Sequence, residues 1–265
     1  MSPEKEYKNF LKGKRVAIVG PAKSVMFQKN GPLIDSYDVV VRICNTEAEF
    51  DLSHHGDYIG TKTDVMYNVM DSHISNLKKW IVDNGVKYLS TTYPSQEWFF
   101  GRIENNVDDA VAKKFSKLDV ELLRYESAFE TVTIPPEPYF SVKKATNSRP
   151  NSGFCAIIDL LSSELKELFI TGIDFYRSSV EGDGSGYISD YKIQWSNKRG
   201  SDFLIENIDR DGPDIHNPDS AFVFFKKEMF LKDPRIKVDD SFLRYLSDEK
   251  YESLNNFFNK ETKNA

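Results

Sequence analysis

Lys14–Asn45, KRVAIVGPAKSVMFQKNGPLIDSYDVVVRICN, decides how the chain folds. Val16–Val19 is a short apolar run rich in β-branched residues, and Gly20-Pro21 ends it abruptly. It is too short for a helix and has the profile of a buried strand. Asp38–Ile43 reads as a second strand, one helix or loop further on. Strand, turn, crossover, strand opens a nucleotide-binding α/β unit, in which ligands lie beyond the carboxyl ends of the strands. Gly20 lets the backbone approach a phosphate closely because no side chain stands in the way, and Ser24 adds a hydroxyl to the same loop. The stretch is not a dinucleotide-binding turn. That fingerprint needs G-x-G-x-x-G and an acid near the end of the second strand. Here no glycine follows Gly20 until Gly31, and the strand runs out through Arg42 to Asn45. An ordinary α/β domain with a Gly-Pro turn would read the same way from these residues alone.

The rest of the chain sets bounds. Its 265 residues suit one large domain, with 1–13 as a charged N-terminal extension and 247–265 as a polar C-terminal tail. The net charge of −6 argues against general nucleic-acid binding. Cys44 and Cys155 both sit in apolar runs and read as buried free thiols rather than a secretory disulfide. No Cys/His cluster has metal-site spacing. The N-terminus, MSPEKEYKNFLKGK, has no apolar signal core, and no run approaches the length that spans a bilayer. A cytoplasmic protein of a bacterium or of a virus-infected cell is expected, and a lumenal one only if an anchor has been removed.

Further strands are expected at Thr63–Met70 and Val86–Ser90. Between them a helix carries Ile74, Leu77, Trp80 and Ile81 on one face and stops at Asn84-Gly85. Val107–Phe115 reads as a helix and Val120–Tyr125 as a strand. Pro135, Pro136 and Pro138 read as a rigid loop before Tyr139. His54 and His55 fall in a polar, solvated loop.

Arg149–Tyr176, RPNSGFCAIIDLLSSELKELFITGIDFY, is the second informative stretch. Asn151 or Ser152 can cap a helix whose apolar positions Phe154, Ile157, Ile158, Leu161 and Leu165 follow helical spacing. A helix that begins Asn151-Ser152-Gly153 presents free N–H groups and a positive dipole end, which suits a phosphate. A plain capped core helix has the same sequence. Glu167–Thr171 is the next strand, closed by Gly172-Ile173-Asp174. The third stretch, Ile208–Phe225, holds His216 ahead of a helix that Asp219 or Ser220 can cap. Asp209-Arg210-Asp211 within it is a D-x-D, the pattern by which many UDP-sugar transferases hold a divalent cation; a solvated turn before Gly212-Pro213 reads the same way. An amphipathic helix Phe222–Leu231, a strand Ile236–Val238 and a short helix Ser241–Leu246 follow.

Taken in order, these stretches resemble the sialyltransferases of glycosyltransferase family 29. Gly20, Gly31-Pro32, Ile34-Asp35, Asp38, Val39, Arg42, Asn45 and Gly60-Thr61-Lys62-Thr63 look like the long sialyl motif, which in that family binds the nucleotide of a CMP-sugar. Pro150-Asn151-Ser152-Gly153 is similar to the P-S-T-G start of the short motif, and Gly172 to its closing glycine. His216 resembles the general base of the very short motif, H-x-x-x-x-E. Four departures stand out. Pro21 replaces an Asn that contacts the donor phosphate, which leaves Ser24, Asn45 or backbone N–H groups for that task. Ala221 stands at the Glu position, with Asp219 nearby. The H-Y-Y motif has no counterpart, Tyr187 and Tyr191 being the nearest aromatic residues. The membrane anchor of most Golgi members is also missing.

The resemblance implies a Rossmann-like, twisted, mostly parallel sheet flanked by helices, the modified GT-A fold. It implies inverting transfer of sialic acid, or a related 2-keto sugar acid such as Kdo, from CMP to a glycan or glycolipid hydroxyl. His216 would be the base. Gly20, Ser24, Asn45, Asn151, Ser152, Gly153, Gly172 and Asp174 would hold the nucleotide, with no metal and no cofactor beyond the donor. Two other classes fit the residues: a metal-dependent UDP-sugar transferase using Asp209 and Asp211, and a nucleotide-binding protein without catalysis.

Overall fold

The computed structural model of the chain describes residues 2–43, 52–68, 81–92, 130–178 and 216–253. Its strands are β1 (Arg15–Val19), β2 (Val39–Ile43), β3 (Val65–Asn68), β4 (Tyr88–Thr91), β5 (Glu130–Val132), β6 (Glu167–Thr171) and β7 (Ile236–Val238). They form one sheet in the order β5-β4-β3-β2-β1-β6-β7, with every neighbouring pair parallel. Strands of such a sheet are covered on both faces, which is why β1 and β2 are apolar apart from Arg15 and Arg42. Alternate residues feed two separate cores. Val16, Ile18, Val39, Val41 and Tyr67 pack with Phe154, Ile157 and Ile158 on one face. Ala17, Val19, Val40, Met66 and Phe169 pack with Val25, Ile34 and Ile59 on the other.

The helices are α1 (Pro3–Leu11), α2 (Gly31–Asp35), α3 (Leu52–Ile59), α4 (Pro136–Thr146), α5 (Ser152–Leu161), α6 (Pro218–Phe224) and α7 (Asp240–Ser247). Among the described residues no helix is long and apolar enough to cross a membrane. Within residues 1–13, α1 docks through buried Tyr7 and Leu11. Lys8 of α1 donates to the buried Asp159 carboxylate of α5 at 2.5 Å, and Tyr67 donates to its other oxygen at 2.6 Å.

Several expectations are corrected. His54 and His55 lie in α3, not in a loop. The prolyl stretch keeps part of its expected loop character: Pro135 is extended and Glu137, at φ −101° and ψ 131°, is not helical, so the regular part of α4 begins after it. The chain beyond Ser247 does not fray at once: Glu249–Glu252 forms a 3-10 turn that buries Tyr251. The helix expected from Phe222 starts earlier, at Pro218, and widens into a π turn over Phe225–Phe230. The Val107–Phe115 helix and the Val120–Tyr125 strand lie outside the described residues.

β1 is central. From it the chain steps to β2 on one side, while β6 on its other side leads outward to β7. The crevice between the carboxyl ends of β1 and β6 is therefore the topological switch point, where ligands bind in sheets of this kind. Gly20 and Gly172 meet there. A Cβ on Gly20 would lie 2.2 Å from the Gly172 carbonyl oxygen, and one on Gly172 would lie 2.3 Å from that of Gly20. Gly172 also has φ +67°.

Gly13 supplies a control for this contact, since its φ is +70° but a Cβ there meets nothing within 4 Å. Gly13→Ala should cost about 1–2 kcal/mol, the penalty of left-handed backbone for an L residue. Gly172→Ala should cost at least about 2 kcal/mol more, because two main chains must separate. Urea unfolding of both variants measures the difference, and equal losses would show that the close approach is unimportant.

Candidate functional site

The loop after β1 spends its donors on β6. The Gly20 N–H donates to the Thr171 carbonyl and the Ala22 N–H to the Gly172 carbonyl, each at 2.9 Å. Pro21 has no N–H. The phosphate ligands expected from this backbone are thus not supplied by Gly20 or Ala22. Ser24 is committed as well: its hydroxyl donates to Asp174 Oδ2 at 2.7 Å, and both residues are buried. Burial pushes the Asp174 carboxyl up, against the pull of its Ser178 and Ser24 hydrogen bonds and of the Arg177 charge. Asp239 closes the same end of the sheet from β7. It accepts from the Thr171 hydroxyl at 2.5 Å and caps α7 through the Phe242 N–H at 2.7 Å. Burial also raises its carboxyl.

The start of α5 is different. Asn151 is the cap, accepting the Phe154 N–H at 2.9 Å, and Ser152 is the first helical residue. The N–H groups of Ser152 and Gly153 have no acceptor among the described residues. They form the positive end of a ten-residue helix. A Cβ on Gly153 would sit 3.0 Å from the side chain of Ile173, so the helix start rests directly on the residue after Gly172.

His216 precedes α6, whose cap is Asn217 and not Asp219 or Ser220. The Asn217 side chain accepts from the Asp219 and Ser220 N–H groups at 3.1 and 3.0 Å. His216 Nδ1 lies 2.7 Å from the Arg149 carbonyl oxygen, which assigns the ring hydrogen to Nδ1 and the lone pair to Nε2. Nε2 faces Arg149 Nη2 at 3.4 Å. Burial, then the Arg149 charge, lower the imidazole to about 4, opposed by the hydrogen bond to the Arg149 carbonyl. The ring is therefore neutral at pH 7. Ala221, at the acidic position of the family motif, is buried in the core.

Sequence reasoning missed Arg177. Its side chain is fully buried and donates to the carbonyls of Phe175 at 2.7 Å, Tyr251 at 3.0 Å and Pro218 at 3.4 Å, and to Asp219 Oδ1 at 2.8 Å. The guanidinium also lies 4.1 Å from the centroid of the Phe222 ring. Burial lowers it to about 10, so it stays charged. It joins the loop after β6 to the start of α6 and so fixes the turn that carries His216. In that loop Phe175 and Tyr176 have φ of 51° and 66°, a strained conformation for side chains of this size. The only sequence signal was an arginine a few residues beyond a motif glycine.

Much of the long-motif resemblance falls on scaffold. Asp35 accepts from the Thr61 and Lys62 N–H groups at 3.0 Å, and a Cβ on Gly60 would strike its carboxylate. Arg42, buried in β2, donates to the Thr63 hydroxyl at 2.8 Å and to the Ile59 and Lys62 carbonyls at 2.9 Å. Gly31 lets α2 approach α3 at the Gly56 carbonyl. The structure thus pairs Gly20 with Gly172 and Ser24 with Asp174, sets Gly153 against Ile173 with Asn151 and Ser152 on the same helix start, and ties His216 to Arg149. Asn45, Cys44, Tyr187, Tyr191, Asp209 and Asp211 lie outside the described residues. Cys155 is buried, and its thiol donates to the Pro150 carbonyl at 3.4 Å.

No family model matches the chain. No curated protein matches it either. Among solved structures it is similar to a mammalian sialyltransferase, at 14% identity and a TM-score of 0.46, covering 86% of this chain and 69% of that one. It is similar to the same extent, 14% and 0.46, to a mammalian sialyltransferase in complex with Gal-beta-1-3GalNAc-ortho-nitrophenol, covering 90% of this chain and 73% of that one.

The environment of His216 has a consequence for stability. The ring is lowered to about 4 in the fold, against an ordinary value of 6.5. Between those values the unfolded chain binds more protons, so the His216 contribution is complete above pH 6.5 and is lost as pH falls toward 4. From pH 7.5 to 4.5 the wild type should lose about 2–3 kcal/mol more than His216→Asn, whose amide can still donate to the Arg149 carbonyl. Urea unfolding at both pH values measures this, and parallel losses would refute it.

Proposed function

We propose that the chain is an inverting glycosyltransferase of the family 29 type, with the modified GT-A fold. It moves sialic acid, or a related 2-keto sugar acid such as Kdo, from its CMP donor to a glycan hydroxyl. One observation carries this reading. Gly20 and Gly172, which open and close the two sialyl-like stretches, meet backbone to backbone at the switch point of a parallel sheet, and the start of α5 rests against that junction. Residues 152 positions apart in sequence are brought together where a nucleotide belongs.

The chemistry follows from which groups are still open. The Ser152 and Gly153 N–H groups receive the donor phosphate and stabilise the charge that grows on it as CMP departs. Gly20 gives close approach but no N–H. His216 takes the proton of the acceptor hydroxyl on Nε2 as that oxygen attacks the anomeric carbon through an oxocarbenium-like state. The Arg149 carbonyl holds the tautomer and steadies the imidazolium, the part an orienting acceptor plays in other base-activated nucleophiles. Arg177 and Asp219 hold the turn on which the base sits. None of these roles calls for a metal ion.

Calorimetry with CMP, UDP and their sugars, with and without EDTA, tests the donor class. CMP is expected to bind and UDP to bind much more weakly. UDP binding that EDTA abolishes would favour the Asp209/Asp211 reading instead. Ser152→Pro sharpens the test. Proline suits the first helical position, and Asn151 before it is already extended at φ −75°, ψ 169°. The variant therefore deletes one N–H with little harm to the helix. CMP affinity should fall about tenfold, the value of a hydrogen bond to a charged group; an unchanged affinity in the folded variant would remove α5 from the site.

His216→Ala should leave CMP affinity largely intact and lower turnover by roughly 10²- to 10⁴-fold, the usual contribution of a general base. The role is excluded if the folded variant transfers sugar at the wild-type rate with both substrates saturating and chemistry limiting.

A further inference from the structure

The buried Arg177 guanidinium joins two turns that are distant in sequence. Just beyond His216, Asp219 Oδ1 accepts from Nη2 at 2.8 Å and the Pro218 carbonyl from Nη1 at 3.4 Å. On the other turn, the Tyr251 carbonyl, 74 residues from Arg177, accepts from Nε at 3.0 Å. A guanidinium is one rigid plane, so its donors are not re-aimed singly. An acceptor that moves at Nε either carries the plane with it or leaves a buried N–H unpaired, and the second is costly. The position of Tyr251 is therefore transmitted to Pro218 and Asp219.

The 3-10 turn Glu249–Glu252 has a small stake in the core, since Tyr251 is its one buried residue. The Tyr251 ring stands edge-on to Tyr245 of α7, with centroids 4.8 Å apart. Asp248 caps the turn by accepting from the Lys250 N–H at 3.0 Å. Glu252 accepts from Lys226 Nζ at 2.7 Å, on the π turn that continues α6. That hydrogen bond holds the Glu252 carboxyl below its ordinary value against burial, helped by the charges of Lys226, Lys227 and Arg177. A segment with a single buried side chain opens more readily than the central sheet.

We infer that the Asp248–Glu252 turn is a strap that regulates the transfer site: docked, it sets the direction of His216 through Arg177, and undocked, it releases the base while leaving the donor site in place. This rests on the reading of the chain as a CMP-sugar transferase with His216 as its base. Arg177 is a positioning residue, since it reaches the base only through the turn that carries it. The N–H groups assigned to the donor phosphate are on α5, whereas the strap is held at Arg177, Lys226 and Tyr245. Undocking therefore separates turnover from donor affinity. The direction of the base is where a small movement counts, because misplacing a reacting group by about 1 Å costs on the order of 10²-fold in rate. Burial is the main force that lowers the His216 ring to about 4, so loosening its turn also lets the ring take up a proton at higher pH.

The test breaks the strap at Glu252. Glu252→Lys sets a further cation against Lys226, Lys227 and Arg177, and Glu252→Gln removes the charge without that repulsion. Each variant is measured for kcat with CMP-sialic acid, for CMP affinity by calorimetry, and for the His216 ring midpoint by NMR, with His216→Asn assigning the resonances. Gly13→Ala serves as a variant destabilised at the other end of β1. Glu252→Lys is expected to lower kcat by roughly 10- to 100-fold, to leave CMP affinity in place, and to raise the midpoint by about one pH unit or more. Glu252→Gln should fall between it and the wild type, and Gly13→Ala should keep both kcat and midpoint. Arg177→Lys keeps the buried charge but loses the rigid fork, and should show the same split between kcat and CMP affinity. The strap is wrong if folded Glu252→Lys keeps the wild-type kcat or midpoint, if CMP affinity falls in step with kcat, or if Gly13→Ala moves the midpoint equally. If the wild type turns over no CMP-sugar, the donor reading fails and the midpoint alone decides: a rise in Glu252→Lys keeps the link from strap to His216, and no rise removes it.

Discussion

The structure depends on two main chains touching with no side chain between them. At the carboxyl ends of β1 and β6, Gly20 and Gly172 lie so close that a methyl group on either would overlap the other's carbonyl. The contact needs glycine twice, for space at both positions and for a positive φ at Gly172. It also needs the parallel pairing of β1 with β6, whose register runs from Arg15 opposite Glu167 to Val19 opposite Thr171. The N–H groups of Gly20 and Ala22 then extend that ladder by two more bonds. The crevice at the switch point is therefore floored by backbone already satisfied, and its shape is set by the sheet.

That economy decides where a ligand can find donors. Backbone groups bonded within the floor are not available to a phosphate, and Ser24 is turned down onto Asp174. Helix α5 is the nearby element with unused N–H groups among the described residues, because a helix leaves its first donors unpaired and Asn151 satisfies one of them. Pro21 takes nothing from the ladder: its neighbours Gly20 and Ala22 make both backbone bonds to the β6 end.

The sheet was largely legible in the sequence, and the reasons are local. β6 and β7 have the limits expected from their apolar runs, and β1 and β2 differ from expectation by a single residue. Doubly covered strands show themselves by continuous β-branched sequence. β5 is only three residues long and carries too little pattern to be seen. Helix α3 was hidden because Ser53, His54, His55 and Gly56 have weak helical preference, and packing of Ile59 against the sheet overrides it. In the site, residue types were readable but partners were not. Arg42 and Asp35 looked like parts of a binding motif, and they hold the loop Gly60–Thr63. The pairings Arg177–Asp219 and Thr171–Asp239 span 42 and 68 residues. No periodicity or spacing encodes such contacts.

The same long-range pairings explain how a histidine on a short turn is held in one orientation. His216 sits outside α6, with only the cap Asn217 between it and the helix, so the helix alone leaves its direction loose. Arg177 removes that freedom from below, through the Pro218 carbonyl and Asp219. A buried guanidinium carries a large desolvation cost, and several hydrogen bonds are needed to offset it. Here they come from the ends of three segments: the strained Phe175–Tyr176 loop, the start of α6 and the Tyr251 turn. Moving any one of them would strand a buried charge, so the three move together or not at all. Arg149 holds the ring itself, its carbonyl at 2.7 Å from Nδ1 and its guanidinium at 3.4 Å from Nε2. The ring is thus held by two arginines, by Arg177 through the turn that carries it and by Arg149 directly at both ring nitrogens.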